Sequence, residues 1–500
     1  MKIPLTHNSL RTHLMFLVVI IIFGFSWPIF LLTEWGSDFG VYYVTASFLG
    51  DDYQLYKSAF DHKGPVYYLF IKGIGNFIGW GAIQAFMTLG ITVLFYLLTI
   101  FYVAKHYLKD KILITVVVGL SFATLFQQPS NVSIALFQSA LLILFFHTNN
   151  LLQQNRKTIY LIISIFLLCM ATLTRIDSVI YILLFIPLVI ILGGRQKITI
   201  RKLVSGFSIG ILSSFVFIWI IFSYFGFSLN DFYIHNVHFN NWYKLKNTLS
   251  MFYRPVQFKY FITTGLFPIT LILLSILLNK IFFQDERMQN TSLFKNIITP
   301  ERILSLSTLV LSILALIYSG SDKNYHAFIL IPGILFFIIS NLNLIEKDII
   351  KIIPAFIVYL IIISAYTLIP AVSTLHKKEN LFNPFDKYSD VKRYEITVED
   401  MRSRTSAYIV GGRGWPYLFS GIKPATAINN WWLYFFPESY TTDGTLKDHN
   451  KLINQTNGYE FWIENSLINK EDTSPLFQEI LDVSQLLSSD GYYTKFIIQK

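Results

Sequence analysis

The chain has 500 residues, of which 53% are hydrophobic and 14% are charged, and its mean hydropathy is +0.51. Because soluble domains carry about 25% charged residues, this composition excludes an ordinary soluble protein and indicates a membrane protein. The net charge of +10 is typical of the Lys- and Arg-rich inner loops of such proteins. We expect no nucleic-acid partner, because no basic patch with interleaved aromatic residues lies outside the apolar runs.

Apolar runs that are long enough to cross a bilayer recur along the chain. The first, Leu14–Leu32, is too long for a signal peptide and lacks a small-residue cleavage site, so we interpret it as a retained span. The only cysteine, Cys169, lies in another such run, which excludes an internal disulfide. About eleven spans are predicted, at approximately 14–33, 82–104, 112–127, 132–148, 158–173, 177–194, 203–225, 260–280, 303–319, 325–341 and 352–371. The predicted fold class is an α-helical polytopic membrane protein.

The distribution of Lys and Arg predicts an N-terminus on the inside, because this orientation leaves more basic residues on the inner than on the outer side. The outer basic residues then concentrate in two long loops, 34–81 and 226–259. Within the first loop, the apolar stretch Val66–Trp80 is expected to form a helix in the membrane interface. From His376 on the composition becomes polar, which predicts a membrane domain over 1–371 and a small soluble α/β domain over 372–500 on the outer side. In that domain "SAYIVGG" (406–412) is typical of a strand that enters a turn.

The first outer loop opens with "WGSDFGVYY" (35–43), which places Asp38 just beyond the first span. An acid at this depth is costly unless it is solvated, paired or functional. Asp38 is therefore either a solvated interfacial acid, or a carboxylate that accepts a proton from a substrate hydroxyl or binds a metal.

The same loop closes with "FDHKGP" (60–65), in which Asp61, His62 and Lys63 precede a predicted helix start at Pro65. Lysine binds phosphate as a point charge, and helix N-termini favour anions. These three residues are interpreted either as an ordinary charged turn or as a phosphate site.

Two shorter outer turns carry further charged residues. In "TRID" (174–177), Arg175 either pairs locally with Asp177 or holds a phosphate with its fork of donors. In "SDKNYHA" (321–327), Lys323 and His326 belong either to a plain polar turn or to the same phosphate site.

Two other motifs favour structural roles. His235 and His238 in "IHNVHFN" are three residues apart, but a zinc site needs further ligands that are not visible nearby, so we expect packing with aromatic residues. The glycine-containing turn Gly412–Trp415 lacks the third glycine of a nucleotide loop and is followed by Pro416. We expect no nucleotide at the site, and a divalent metal is left open.

The stretch "SDFGVYYVTASFLGDDYQLYKSAFDHKGPVYYLFI" resembles the first outer loop of bacterial GT-C glycosyltransferases, which are related to protein O-mannosyltransferases and lipid A aminoarabinose transferases. In this superfamily an acid follows the first span, and a sequence similar to "DHKGP" closes the loop. The resemblance implies that Asp38 matches the catalytic acid and that His62 and Lys63 match the neighbourhood of the carrier phosphate. One departure is that Phe39 stands where many relatives have a second acid.

The resemblance implies a multi-pass glycosyltransferase of the bacterial cytoplasmic membrane, with its active site on the extracytoplasmic face. It implies inverting transfer of a sugar from polyprenyl phosphate to a glycan, lipid or protein acceptor, with Asp38 as general base. A transporter or flippase of a lipid-linked saccharide is the main alternative, but it predicts charges near span midpoints and inverted repeats, and neither is clear in this sequence. A polysaccharide polymerase or ligase usually has its longest loop late among the spans, not after the first.

Overall fold

The computed structural model describes residues 38–50, 53–56, 63–126, 133–194, 199–238, 270–271, 273–275, 299–319, 328–342, 395–411, 415–425, 449–468, 475–489 and 493–499. Contacts between Cα atoms divide the chain into two compact units. The helical unit consists of the described parts of Ile91–Phe217 and Lys244–Lys378, and the loop unit consists of those of Glu34–Gly90, Ile218–Tyr243 and Glu379–Lys500.

The loop unit begins with two helices, α1 (Asp38–Phe48) and α2 (Pro65–Ile78). Helix α2 starts as predicted, because proline at the first helical position needs no N–H partner there. It ends at Gly79, whose backbone φ of 88° suits glycine and whose N–H donates to the carbonyl of Gly75. The helix expected over Val66–Trp80 is thus confirmed as a helix, and its location in the membrane interface stays a prediction.

Long apolar helices follow, and the boundary between the two units falls within two of them, α3 (Ala82–Tyr107) and α8 (Ile200–Phe225). Their bounds are α3 (Ala82–Tyr107), α4 (Lys111–Phe126), α5 (Ser133–Asn155), α6 (Thr158–Thr172), a 3-10 helix (Ile176–Leu184), α7 (Phe185–Gly194) and α8 (Ile200–Phe225). After α8 come a short α9 (Leu229–Phe232) and a π-helix (Tyr233–His238) in the loop unit, and then α10 (Pro300–Ser319) and α11 (Ile331–Asn341) in the helical unit.

Three of the described helices are long and apolar enough to cross a membrane, namely those over Ile83–Tyr107, Ser133–Asn155 and Ile200–Phe225. Shorter apolar helices cover Thr158–Thr172, Ile176–Leu192 and Phe328–Asn341. The predicted spans 14–33 and 352–371 lie outside the described residues, as does most of 260–280.

Helix α5 is longer than the span predicted over 132–148. The predicted span ends at residue 148, within the polar run "HTNN" (147–150), but the helix continues to Asn155. Each side chain of this run makes at least one hydrogen bond inside the protein. Asn149, for example, donates to the carbonyl of Phe145 at 3.0 Å and accepts a hydrogen bond from Ser164 of α6 at 2.8 Å. Partners of this kind remove the cost that would otherwise end an apolar helix at a polar residue.

Close packing joins α10 to α11 in the helical unit. A Cβ atom added at Gly333 of α11 would lie 1.9 Å from Ser312 Oγ and 2.7 Å from the backbone oxygen of Thr308, both on α10. Asn341 donates to Ser305 Oγ at 3.0 Å across the same pair of helices. Small residues and polar contacts of this kind are the usual means by which membrane helices associate.

The C-terminal part of the loop unit mixes helices and strands. Its elements are α12 (Glu395–Arg402), β1 (Ser406–Ala407), β2 (Ile409–Val410), α13 (Trp415–Ser420), β3 (Lys423–Pro424), β4 (Glu460–Glu464), α14 (Asn465–Ile468), α15 (Pro475–Asp482), β5 (Ser484–Ser489) and β6 (Tyr493–Ile498). Among the described strands, β2, β4, β6 and β5 form one sheet in that order, parallel between β2 and β4 and otherwise antiparallel, and β1 pairs with β3 in parallel. The strand expected in "SAYIVGG" is confirmed as β1 and β2.

The C-terminal part also contacts the first loop within the loop unit. The hydroxyl of Tyr53 donates to the carbonyl of Pro424, and the ring of Phe48 from α1 meets Tyr417 of α13 edge to face at 6.4 Å. These two contacts connect α1 and the stretch after it to the C-terminal elements, which are far away in the sequence. The domain boundary expected near residue 371 stays a prediction.

Candidate functional site

Asp38 is the first residue of α1 and lies partly buried in the loop unit. Its Oδ2 atom accepts a hydrogen bond from the Tyr42 hydroxyl one helical turn further on, at 3.4 Å. The N-terminal end of a helix carries a partial positive charge, which favours a carboxylate at this position. The Tyr42 ring is held edge to face against Tyr67 and Tyr68 of α2, at 5.7 and 5.9 Å. Asp38 is therefore oriented by a side chain that is itself fixed by packing.

Lys63 precedes α2 by two residues and is only 6% exposed. Its backbone carbonyl accepts a hydrogen bond from the hydroxyl of Tyr56 at 2.7 Å. The first backbone N–H groups of a helix have no partner within the helix, so the start of α2 adds donors and a positive potential next to this lysine. The environment of Lys63 at the start of α2 therefore favours binding of an anion.

The segment after α2 packs back on α1. The ring of Trp80 lies 5.2 Å from that of Tyr43, and the Tyr43 hydroxyl accepts a hydrogen bond from the N–H of Gly81 at 3.2 Å. Burial raises the pKa of Tyr43 to about 12, although the hydrogen bond from Gly81 opposes this. Lys72 lies over the Trp80 ring at 5.4 Å. Tyr43 thus stays protonated at neutral pH and serves to join α1 to the segment that follows α2.

Arg175 lies in the helical unit, at the start of the 3-10 helix, and is 6% exposed. Its Nη2 atom is 2.8 Å from Asp177 Oδ2, so the local ion pair considered from the sequence is formed. The other carboxylate oxygen of Asp177 accepts from Gln138 Nε2 of α5 at 2.8 Å, and the same amide nitrogen lies 2.6 Å from Ser178 Oγ. The guanidinium is thereby held in one orientation by a buried polar cluster.

Sequence reasoning missed Gln138, which contacts Asp177 in the helical unit, and Tyr56, which contacts Lys63 in the loop unit. A signal was present for Gln138, because a polar amide within a long apolar helix usually faces a buried partner. The four other predicted site residues, Asp61, His62, Lys323 and His326, lie outside the described residues.

His235 lies in the π-helix and is 1% exposed. Its ring stacks on that of Tyr56, with centroids 5.2 Å apart and an interplanar angle of 19°. Burial lowers its pKa to about 4, against the opposing effects of Asp231 and the Tyr56 backbone, so the imidazole is neutral at pH 7. The expected packing of His235 with an aromatic residue is thus confirmed. In the described part of the chain, no three His, Cys, Asp or Glu residues group closely enough to hold a metal ion.

Solved structures of similar fold include two crystal structures of ArnT from Cupriavidus metallidurans. The structure bound to undecaprenyl phosphate aligns with a TM-score of 0.56 over 97% of this chain and 97% of that chain, with 11% sequence identity. The apo structure aligns with a TM-score of 0.54 over 98% of each chain, again with 11% identity. Comparison with protein-family models and with curated protein sequences gives no match. At this identity the similarity establishes the fold, and it extends over nearly the whole length of both chains.

Proposed function

We propose that this chain, which has the fold of the GT-C lipid A aminoarabinose transferase ArnT, is a membrane glycosyltransferase that uses a polyprenyl-phosphate-linked sugar as donor. The observation that carries the proposal is the fold shared over 97% of both chains with a protein whose crystal structure contains undecaprenyl phosphate. The acid and the lysine that resemble the family's loop motif, Asp38 and Lys63, support it from the sequence. Both lie in the loop unit, close to the starts of α1 and α2.

In the proposed reaction Asp38 acts as general base. Its carboxylate takes the proton of an acceptor hydroxyl, and the acceptor oxygen then attacks the anomeric carbon of the sugar from the side opposite to the carrier. The bond between that carbon and the phosphate oxygen breaks, and its electron pair leaves with the phosphate. The configuration of the sugar is therefore inverted. The hydrogen bond from Tyr42 supports this role, because it orients the carboxylate that is proposed to receive the proton.

The leaving phosphate is proposed to be held by Lys63 and Arg175, together with His62, Lys323 and His326. Charge develops on the phosphate as the glycosidic bond breaks, and oriented cations stabilise that charge more than they stabilise the ground state. The burial of Lys63 within the loop unit supports its part of the proposal, since electrostatic interactions are stronger away from water.

The reaction is proposed to occur on the extracytoplasmic face of a bacterial cytoplasmic membrane. The excess of Lys and Arg in the predicted inner segments supports this orientation, with about eleven spans and an inner N-terminus. Residues 372–500 would then lie outside, and the acceptor would be a glycan, lipid or protein of the cell envelope.

The test uses the lipid that accumulates when the gene is deleted. Lipid-linked sugars are extracted from the deletion strain and incubated in detergent with the purified full-length protein and with glycan, lipid or protein fractions of the cell envelope as acceptors. Release of free undecaprenyl phosphate is followed by mass spectrometry. We expect release with the wild type, and a loss of at least about 100-fold with Asp38→Asn, because general-base catalysis contributes about 10²- to 10⁴-fold.

Asp482→Asn is the matched control, since it neutralises an exposed acid of the C-terminal part. A wild-type rate for Asp38→Asn would rule out Asp38 as the base. A flippase would release no carrier phosphate in detergent, so absence of release with every extract and acceptor tried would favour the transport alternative.

A further inference from the structure

The side chain of Tyr56 lies at the meeting point of three segments of the loop unit. It is 1% exposed, although it belongs to a short stretch between α1 and α2. Its ring packs edge to face on Phe227 at 4.8 Å and stacks on His235. Phe227 and His235 both follow α8, so the first and second predicted outer loops meet at this ring.

The Tyr56 hydroxyl accepts one hydrogen bond and donates another. Asn236 Nδ2 of the π-helix donates to the hydroxyl oxygen at 2.7 Å, and the hydroxyl donates to the backbone carbonyl of Lys63 at 2.7 Å. Asn236 is itself 1% exposed. Two short, buried hydrogen bonds thus connect the second loop to the backbone of Lys63.

Unusual backbone conformations occur at two of the three residues of this connection, Tyr56 and Asn236. Tyr56 has a φ of 67°, in the left-handed region that a tyrosine rarely adopts. Asn236 and His235 lie in a π-helix, a conformation that is rare and often found at functional sites. Conformations of this kind persist only where surrounding contacts hold them, and they concentrate where geometry matters for function.

A glycine makes room for the same contact. Gly226 has a φ of 66°, and a Cβ atom added there would lie 2.6 Å from Nε2 of Gln54. The chain therefore turns sharply after α8, against the stretch that carries Tyr56, and brings the π-helix to its ring.

We propose that Tyr56 and Asn236 are positioning residues for Lys63 and that the second loop thereby belongs to the carrier-phosphate site. The carbonyl of Lys63 lies one residue before the N-cap of α2, so fixing it sets the direction in which the lysine side chain leaves the backbone. A small displacement of a charged group weakens its interaction with a phosphate considerably. This inference rests on the proposed function, in which Lys63 binds the phosphate of the carrier.

The test measures binding of undecaprenyl phosphate to purified full-length variants in detergent, with thermal unfolding followed in parallel. Tyr56→Phe keeps the stacked ring and removes both hydrogen bonds, and we expect its Kd to rise about five- to tenfold. Asn236→Ala should raise the Kd in the same direction, and the double variant should bind no more weakly than Tyr56→Phe alone, because one connection has been cut in each case. If Tyr56→Phe fails to fold, Asn236→Ala alone gives the answer.

Tyr417→Phe is the matched control. It removes another buried tyrosine hydroxyl of the loop unit, which accepts a hydrogen bond from the N–H of Ile409 at 2.7 Å. We expect it to unfold at a lower temperature but to bind undecaprenyl phosphate with the wild-type Kd.

Lys63→Ala distinguishes the phosphate-binding role of Lys63 from the positioning role of Tyr56. If Lys63→Ala weakens binding and Tyr56→Phe does not, the positioning role is wrong and the proposed function stands. If Lys63→Ala binds undecaprenyl phosphate with the wild-type Kd, Lys63 does not bind the carrier phosphate. The positioning role of Tyr56 is then also wrong, because it depends on that binding. If Tyr56→Phe and Tyr417→Phe weaken binding equally, the effect is one of general stability and the inference is overturned.

Discussion

Arg175 and Asp177 illustrate, at the scale of single residues, how a buried charge is kept in place. Both are almost fully buried, and each oxygen of the Asp177 carboxylate has its own donor, Arg175 Nη2 on one side and Gln138 Nε2 on the other. Removing one partner of a buried ion pair leaves an uncompensated charge, whereas replacing both partners by apolar residues is often tolerated. The pair can therefore be tested for stability and for function separately.

We predict that Asp177→Asn lowers the free energy of unfolding by about 3 kcal/mol, because it leaves the Arg175 charge buried without its anion. The double variant Arg175→Met with Asp177→Leu should unfold close to the wild-type temperature while binding undecaprenyl phosphate more weakly. Thermal unfolding in detergent and the Kd for undecaprenyl phosphate check both parts. Wild-type affinity in the double variant would restrict Arg175 to a structural role.

At the scale of elements, the contact between α10 and α11 depends on the absence of a side chain at Gly333. The nearest obstacles to a Cβ atom there are the Ser312 side chain and the backbone oxygen of Thr308, and backbone cannot rotate away as a side chain can. In contrast, a Cβ atom added at Gly73 of α2 would meet no atom within 4 Å. Both glycines are helical, but only Gly333 is packed against a neighbouring helix.

We predict that Gly333→Ala destabilises the protein by about 2 kcal/mol, because the two helices must move apart to admit the methyl group. Gly73→Ala is the control and should be neutral or stabilising by about 0.5 kcal/mol, since alanine favours a helix over glycine. Thermal unfolding of the two variants in the same detergent measures both effects. Equal unfolding temperatures for the two variants would show that α10 and α11 pack less closely at Gly333.

At the scale of the whole molecule, the C-terminal elements are built around their own apolar core and also contact the first loop. The core includes Phe461 and Ile463 of β4 and Phe477 of α15. On the sheet, Arg404 and Lys495 both pair with Glu460 and both lie over the Trp462 ring, at 5.0 and 5.8 Å. Burial alone would raise the pKa of Glu460, but hydrogen bonds from Lys495 and Arg404 hold it below its usual value.

We predict that deleting Glu379–Lys500 abolishes sugar transfer and makes the first loop more sensitive to protease. The reason is that Tyr53 then loses its acceptor on Pro424, and Phe48 loses the Tyr417 ring against which α1 packs. Limited proteolysis with mapping of the cleavage sites, together with the transfer assay, measures both consequences. A truncated chain that keeps its activity and an intact first loop would instead support a C-terminal domain that is independent of the catalytic part.

The sequence by itself determined the helical membrane class, the position of most described apolar helices and the start of α2 at Pro65. These features follow from hydrophobic length and from the local chemistry of proline, which act over neighbouring residues only. It also determined that Arg175 and Asp177 lie close enough to pair, because they are two residues apart.

Only the tertiary structure decided which polar groups far apart in the sequence are hydrogen-bond partners. The contact of Tyr56 with Asn236 joins positions 180 residues apart, and that of Tyr53 with Pro424 joins positions 371 residues apart. The extension of α5 past residue 148 likewise depends on Ser164 of another helix. No local pattern encodes such pairs, because a buried polar group is satisfied by whichever donor or acceptor the fold brings to it.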